Sequence, residues 1–114
     1  MKAMVVRFDF SGQPAERLDA WRRYVVEESV PRFERHAGLR QKLFLWEADP
    51  PAAVAVYLFS DGGAFAEYAD PLIDGSAGFT TTRRFGAPAT IQVLEVAGVA
   101  DGPSPPTGGS GRRP

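Results

Sequence analysis

The sequence has no cysteine and a single histidine among its 114 residues. The absence of cysteine excludes disulfides, thiolate nucleophiles and zinc–thiolate sites together. His36 is the only imidazole, and imidazole is the commonest ligand of catalytic transition metals. We therefore expect no conventional metal site, and no metal or organic cofactor.

The sequence also has no large excess of charge of one sign and no long apolar run. The formal net charge is −1, so nothing predicts binding to nucleic acid or to an anionic membrane. No run approaches the roughly 20 apolar residues that span a bilayer, and the first ten residues lack the apolar core of a signal peptide. These absences predict a cytoplasmic protein.

The most informative stretch runs from residue 52 to residue 72 and reads as strand, turn and helix. Residues 53–60 alternate with apolar side chains on both faces, so we expect this strand to be covered on both sides. Ser60 and Asp61 carry side-chain oxygens that can cap a helix start. The following helix has an apolar stripe at helical spacing, formed by Phe65, Tyr68, Ala69 and Leu72.

The same patterns assign the rest of the chain. Pro31 cannot donate a backbone hydrogen bond, so the first helix should kink near residues 28–30. Gly38 is typical of the left-handed residue that ends a helix. The predicted elements are strand 3–10, helix 14–36, strand 39–47, strand 53–60, helix 62–74, a short helical turn 80–85 and strand 89–97.

The resulting order, β-α-β-β-α-β, predicts an α+β fold of the ferredoxin-like type. In that fold a four-stranded antiparallel sheet carries two helices on one face. We assign residues 1–98 to this domain. Residues 99–114 are rich in Pro, Gly and Ser and contain no core former, so we expect a disordered tail.

Apolar residues on both faces of the first and third strands predict a homodimer. Two helices can cover only one face of the sheet, and the other face would expose a larger apolar patch than a monomer normally carries. A second copy packed sheet to sheet would remove the patch from both chains. We expect a contact of at least about 800 Å² per subunit.

Three segments resemble one known superfamily: MVVRFDF, VPRFERHAGLRQKLFLWE and VYLFSDGGAFAEYADP. Together they cover most of residues 3–97. The chain is similar to the dimeric α+β barrel superfamily, and most similar to its antibiotic-biosynthesis monooxygenase type of domain. The resemblance implies a homodimer that acts on a small molecule without a cofactor.

The resemblance also implies roles for individual residues. Similar oxygenases and haem-degrading proteins place a polar residue on the first strand, a Trp near the end of the third, and aromatics or His on the second helix. Arg7, Phe59 and Tyr68 stand at those three positions here. No His lies on the second helix, so the resemblance does not extend to haem degradation.

A pocket between the sheet and the helices is the predicted site. The candidate catalytic residues are Arg7, Tyr57 and Tyr68, whose polar groups could stabilise a carbonyl or enolate. The candidate substrate-binding residues are Asp9, Trp21, Phe33, Trp46, Phe59 and Phe65. Two alternatives stay open, namely that each aromatic is an ordinary core residue and that Arg7 and Asp9 lie on a solvated face.

Three basic residues outside this set, His36, Arg83 and Arg84, have separate expectations. His36, at the end of the first helix, is expected to interact with the helix dipole. Arg83 and Arg84 either cover a pocket mouth or lie in a solvated connection.

Two classes of function fit these expectations. The first is a cofactor-independent monooxygenase or polyketide cyclase acting on an aromatic or polyketide-like substrate. The alternative is a non-catalytic dimeric ligand-binding or accessory protein on the same scaffold.

Overall fold

A four-stranded antiparallel sheet organises the computed structural model, which describes residues 1–103. The strands lie side by side in the order β2-β3-β1-β4, so β1 and β3 occupy the centre. Both central strands carry apolar residues on both faces, as the sequence predicted. The strands are β1 (Lys2–Asp9), β2 (Leu39–Ala48), β3 (Pro51–Phe59) and β4 (Ala89–Glu95).

The helices all pack on one face of this sheet, which confirms the predicted ferredoxin-like α+β fold. The short helix at residues 80–85 has the predicted bounds. None of the helices within residues 1–103 is long and apolar enough to cross a bilayer. The helices are α1 (Ala15–Tyr24), α2 (Val30–Glu34), α3 (Gly62–Ile73) and α4 (Thr80–Phe85).

The predicted kink is a π-helical turn, Val25–Ser29, that joins α1 to α2. The Val30 N–H donates to the Val25 carbonyl, five residues back instead of four. Pro31 follows directly and cannot donate, so the α-helical ladder is already interrupted at this point. The wider turn accommodates one extra residue, and such turns often occur at functional sites.

Gly38 forms the turn between α2 and β2, as predicted. Its φ is +85°, and a Cβ at this position would collide with the Ala64 side chain on α3. Ser60 ties the end of β3 to the same turn, because its N–H and its hydroxyl both donate to the Gly38 carbonyl at 2.9 and 2.7 Å. Asp61 caps α3 by accepting the Ala64 N–H at 2.7 Å.

The pairing register defines the two faces of the sheet. Met4 lies opposite Tyr57, and Tyr57 lies opposite Lys42, so these side chains share the face under the helices. The other face carries no helix among the described residues. We call it the open sheet face, and its apolar side chains are Val5, Leu43, Leu45, Val54, Val56, Leu58 and Leu94.

Residues 96–103 follow β4 without regular secondary structure. The predicted disordered tail, residues 99–114, lies outside the described residues from position 104 onward. Its disorder therefore stays a prediction.

Candidate functional site

A small cavity of about 80 Å³ lies between the sheet and the helices. Its non-aromatic polar lining consists of Ser29, Arg32, Lys42, Thr80 and Thr81. Apolar walls with a few convergent polar groups are typical of small-molecule sites. Eight aromatic side chains line the cavity: Phe8, Trp21, Tyr24, Phe33, Phe44, Tyr57, Tyr68 and Phe79.

The cavity adjoins an open cleft of about 490 Å³ between α2 and β2. Phe33, Lys42 and Phe44 line both spaces and form the boundary between them. Sites for drug-sized ligands measure roughly 300–1,000 Å³, so the enclosed part alone is too small for one. A ring-containing ligand would therefore lie across this boundary, with one part enclosed and the rest in the cleft.

Two phenols meet inside the cavity. The Tyr68 hydroxyl donates to the Tyr57 hydroxyl at 3.4 Å, a long hydrogen bond. Burial raises the pKa of Tyr57 well above its ordinary value, and burial likewise raises the pKa of Tyr68. Both phenols therefore keep their protons at neutral pH and can act as hydrogen-bond donors.

Phe33 sits at the centre of the aromatic wall. Its ring makes edge contacts with Phe44, Tyr57 and Tyr68 at centroid distances of 6.3, 6.0 and 6.0 Å. Edge-to-face packing of this kind restricts ring rotation. The π-helical turn just before α2 helps to direct this face of the helix toward the sheet, because it shifts the register of every later side chain.

Lys42 is the basic group at the boundary between cavity and cleft. Its Nζ lies 3.4 Å from the ring centroid of Phe33, 4.2 Å from that of Tyr57 and 4.4 Å from that of Phe44. Among residues 1–103, no carboxylate lies within salt-bridge distance of this amine. The amine is therefore surrounded by aromatic rings and lacks an ion-pair partner in the described chain.

Burial, followed by the positive charge of Arg32, lowers the pKa of Lys42 to about 6. The aromatic rings act in the opposite direction, because their negative faces attract an ammonium. Among residues 1–103, no carboxylate within salt-bridge distance compensates the desolvation of this amine. The amine is accordingly mostly neutral at pH 7, unlike an ordinary lysine.

The structure brings together four of the predicted site residues: Trp21, Phe33, Tyr57 and Tyr68. The Trp21 Nε1–H donates to the Thr81 hydroxyl at 3.2 Å, which fixes the indole against α4. All four side chains face the cavity from α1, α2, β3 and α3. Their roles in catalysis or substrate binding stay predictions.

Phe59 and Phe65 lie behind the cavity wall in the core. Their rings meet edge to face at 5.6 Å, and neither side chain reaches the cavity. Phe59 instead stacks parallel to Tyr57 at 6.2 Å and so supports the phenol from behind. Both residues contribute to packing that positions Tyr57 and Tyr68.

The prediction that Arg7 and Asp9 face this cavity is wrong. Both are exposed on the opposite face of the sheet, because strand alternation puts Val6 and Phe8 under the helices. Arg7 donates to the Glu47 carboxylate at 2.7 Å. Asp9 accepts the Ser11 N–H at 2.8 Å, and its hydrogen bonds to Ser11 lower the pKa of its carboxyl group.

Trp46 shares the helix-facing side of β2 but does not reach the cavity. Its side chain is 46% exposed and contacts the Arg22 guanidinium, whose central carbon lies 3.9 Å from the ring centroid. It lines a separate surface depression with Phe10 and Pro14. The prediction that Trp46 and the cavity residues form one site is therefore wrong.

The remaining basic candidates are held by contacts within the chain. His36 stacks on Phe33 and contacts the Tyr68 ring edge at 5.3 Å. Arg83 donates to the Gly78 carbonyl at 2.7 Å, and Arg84 donates to the Glu28 carboxylate at 3.0 Å. These bonds hold α4 and the preceding loop against the cavity.

Sequence reasoning missed Lys42 and Arg32. The sequence pattern singles out neither residue: Lys42 lies within the predicted strand 39–47, and Arg32 lies within the predicted helix 14–36. The missed signal is the spacing of Lys42 and Phe44 on β2, which puts both on the same face as Tyr57 and Ala55. Arg32 donates to the Tyr24 hydroxyl at 3.1 Å and lines the cavity.

No group of three or more His, Cys, Asp or Glu side chains within residues 1–103 could hold a metal ion. The donors that do meet in the cavity are an amine, a guanidinium, hydroxyls and phenols. This set suits hydrogen bonding to a neutral or anionic organic molecule.

Comparison of the fold with solved structures finds similar domains. One is a monooxygenase from Streptomyces coelicolor, ActVA-Orf6, in complex with Nanaomycin D, at 15% identity and TM-score 0.62, covering 90% of this chain and 92% of that one. Another is SnoaB, a cofactor-independent oxygenase from Streptomyces nogalater, at 21% identity and TM-score 0.54, covering 86% and 94%. A third is a dimeric ferredoxin-like protein from an uncultured marine organism, at 14% identity and TM-score 0.56, covering 88% and 92%.

This chain has their fold. The predicted resemblance to the antibiotic-biosynthesis monooxygenase type of domain is thus confirmed at the level of architecture. Identities of 14–21% establish the fold and leave the reaction to be argued from the site. No family model matches the sequence, and no curated protein matches it.

Proposed function

We propose that this protein is a small-molecule enzyme, a cofactor-independent monooxygenase or polyketide cyclase. Its substrate would be a planar aromatic or polyketide-like molecule bound at the boundary between cavity and cleft. The observation that carries the proposal is the buried phenol pair, Tyr57 and Tyr68, inside an aromatic-walled cavity.

Both candidate chemistries pass through a substrate enolate or carbanion. Such an anion needs hydrogen-bond donors that are already oriented and a site from which water is excluded. Phenols are ordinarily protonated at neutral pH and burial raises the pKa of Tyr57 and Tyr68 further, so both can donate to the enolate oxygen. Arg32 adds a fixed positive charge to the same cavity.

An oxygenase built this way needs only molecular oxygen as a co-reactant. The substrate carbanion supplies the electrons, one oxygen atom becomes a carbonyl in place of a CH₂ group, and the other leaves as water. A cyclase would instead direct the same carbanion onto a second carbonyl of the substrate. The phenols stabilise the anion in either case.

A substrate panel tests the proposal. Anthrone-type compounds and poly-β-ketones would be incubated with the protein while oxygen uptake and products are followed. Tyr57→Phe and Tyr68→Phe should each lower kcat by about 10²-fold, the usual cost of losing one oriented donor. Arg23→Ala, on the exposed side of α1, is the matched control and should leave kcat unchanged. Turnover that survives both phenol substitutions would contradict the assignment.

The small volume of the cavity favours a second candidate function, a non-catalytic ligand-binding or accessory protein. At about 80 Å³ the cavity holds little more than a few waters before side chains move. A non-catalytic ligand-binding or accessory protein would need no larger enclosed site. Tight binding of an aromatic ligand in the cleft, with no product from any member of the panel, would support this candidate.

We also propose that the working form is a homodimer paired through the open sheet face. Seven apolar side chains from the four strands lie on this face, and it carries no helix among residues 1–103. A solved structure with this fold is a dimeric ferredoxin-like protein. The cavity lies on the other side of the sheet, so each subunit would keep its own site.

A further inference from the structure

The chain uses lysine very sparingly. The whole sequence contains two lysines, Lys2 and Lys42, and eleven arginines. Lys2 forms an ion pair with Glu95 at 2.7 Å near the exposed ends of β1 and β4. Lys42 is the amine at the cavity boundary. Arginine cannot lose its proton in proteins, whereas a desolvated lysine can, so the choice of lysine at this position has chemical consequences.

The surroundings of Lys42 leave its amine reachable. The residue is partly exposed and lines both the cavity and the open cleft. The ring centroids of Phe33, Phe44 and Tyr57 lie 3.4–4.4 Å from Nζ, so a molecule that reaches the amine enters an aromatic environment. A planar group attached to a carbonyl would therefore contact both the walls and the amine.

We propose that Lys42 is a nucleophilic amine that forms an imine with the carbonyl carbon of a planar aromatic or conjugated aldehyde or ketone. The ring would lie in the cleft beside Phe33 and Phe44, and the carbonyl would point toward the phenols. This inference goes beyond the proposed function because it requires neither oxygen nor turnover.

The step balances without a further co-reactant. The lone pair of Nζ forms the C–N bond while the C–O π electrons move to oxygen and give a carbinolamine. The two amine protons then leave with that oxygen as water, and C=N remains. Tyr57 and Tyr68, both protonated at neutral pH, can donate to the oxygen as it leaves.

The charged and titratable groups around Lys42 favour a neutral amine. Arg32 on α2 is the cation in the cavity wall, and Arg40 is a second cation in the cleft. Glu34 also lines the cleft but makes no ion pair with Lys42. The phenols of Tyr24, Tyr57 and Tyr68 also face the cavity. A pKa of about 6 leaves about 90% of the amine unprotonated at pH 7, against less than about 0.1% for an ordinary lysine.

Reductive trapping tests the proposal directly on the full-length protein. The probe is 2-hydroxy-1-naphthaldehyde with cyanoborohydride at pH 7, and the reagent's hydride converts any imine into a stable secondary amine. Peptide mass spectrometry then separates label on Lys42 from label on Lys2 and on the amino terminus. Lys42 should react on the order of tenfold or more faster than Lys2 in the same molecule, because so much more of its amine is neutral.

Two variants and a second aldehyde complete the experiment. Lys42→Arg should abolish the cavity label, and Lys2→Arg should leave it unchanged. Formaldehyde, which needs no aromatic wall, should label Lys42 with a rate that rises through about pH 6 and then levels off.

Either of two results would overturn the proposal. One is a Lys42 that reacts with formaldehyde only at the high pH that Lys2 requires, which would show an ordinary ammonium. The other is a Lys42 that reacts with formaldehyde but not with the naphthaldehyde, which would show that the site rejects aromatic carbonyls. Neither result depends on oxygenase or cyclase activity, so it would leave the proposed function to its own test.

Discussion

Val56→Asp is the sharpest test of the proposed dimer. Val56 lies at the middle of the open sheet face, with Val5 directly opposite on β1 and Leu43 directly opposite on β2. Its neighbours on both sides are thus apolar. An aspartate here would place a carboxylate at the centre of the face, close to its symmetry mate in an isologous pair.

The expected magnitude follows from the surface that this face exposes in one chain. Leu43, Leu45 and Leu94 remain 44–46% exposed. Fully burying a large apolar side chain is worth roughly 1.5–3 kcal/mol, so covering the exposed parts of these three leucines contributes roughly 2–4 kcal/mol per subunit, to which the less exposed side chains of the face add. The association cost of roughly 4–15 kcal/mol has to be met by such gains in both subunits together, so a loss of several kcal/mol at the centre of the face is enough to separate the chains.

The substitution should therefore dissociate the dimer. Desolvating each introduced carboxylate costs several kcal/mol, so the Kd should rise by at least about 10³-fold. Sedimentation equilibrium at micromolar concentrations measures this. Val26→Asp is the matched control, because Val26 is 71% exposed on the helical side and far from the open face. It should sediment like the wild type.

Two results would refute the reasoning. A wild-type protein that is monomeric at tens of micromolar would show that the open face is tolerated in water. A dimer that persists in Val56→Asp would show that another surface pairs the chains.

Three further predictions concern stability. Lys42→Met should flatten the pH dependence of the free energy of unfolding. The pKa of Lys42 is about 6 in the native state and about 10.4 in the unfolded state, so between these values the unfolded chain binds more protons. The free energy of unfolding of the wild type therefore rises with pH in this range, by at most about 1.4 kcal/mol per pH unit. Urea titrations at several pH values check this, and parallel curves for the two proteins would contradict it. Gly38→Ala should lower the free energy of unfolding by at least about 1–2 kcal/mol, because φ is +85° and the new Cβ would collide with Ala64. Gly12→Ala is the control: Gly12 has open space around it, so this substitution should lower the free energy of unfolding by less than about 1 kcal/mol. Deleting residues 101–114 should leave the melting temperature unchanged, and a drop of several degrees would show that the tail docks.

Local sequence signals predicted the fold because residues at the ends of the helices and strands mark where these elements begin and end. Asp61 supplies the cap of α3, Gly38 supplies the positive φ of the turn before β2, and Pro31 predicted an irregularity in the long helix. The irregularity begins three residues before the predicted kink at residues 28–30 and overlaps it. A missing donor at Pro31 affects the carbonyls of the preceding turn, and the ladder adjusts there by widening.

The site was harder to predict because the alternation of side chains along a strand does not show which face of the sheet lies under the helices. Arg7 and Val6 are equally consistent with either side of the sheet until tertiary packing decides. Pairing across three strands settled the matter, and it also placed Lys42 beside Tyr57. That contact depends on the register of a hairpin containing a bulge between Leu39 and Gln41, which no local pattern indicates.

The sheet also separates two kinds of selective constraint. Along β3, Ala53, Ala55, Tyr57 and Phe59 face the cavity layer, and Val54, Val56 and Leu58 face away from it. In a library of single substitutions, damage should therefore alternate in kind with every residue: altered packing around the cavity at one position and loss of the proposed sheet-to-sheet contact at the next. If both proposals hold, the cavity and the pairing surface could change independently of each other during evolution.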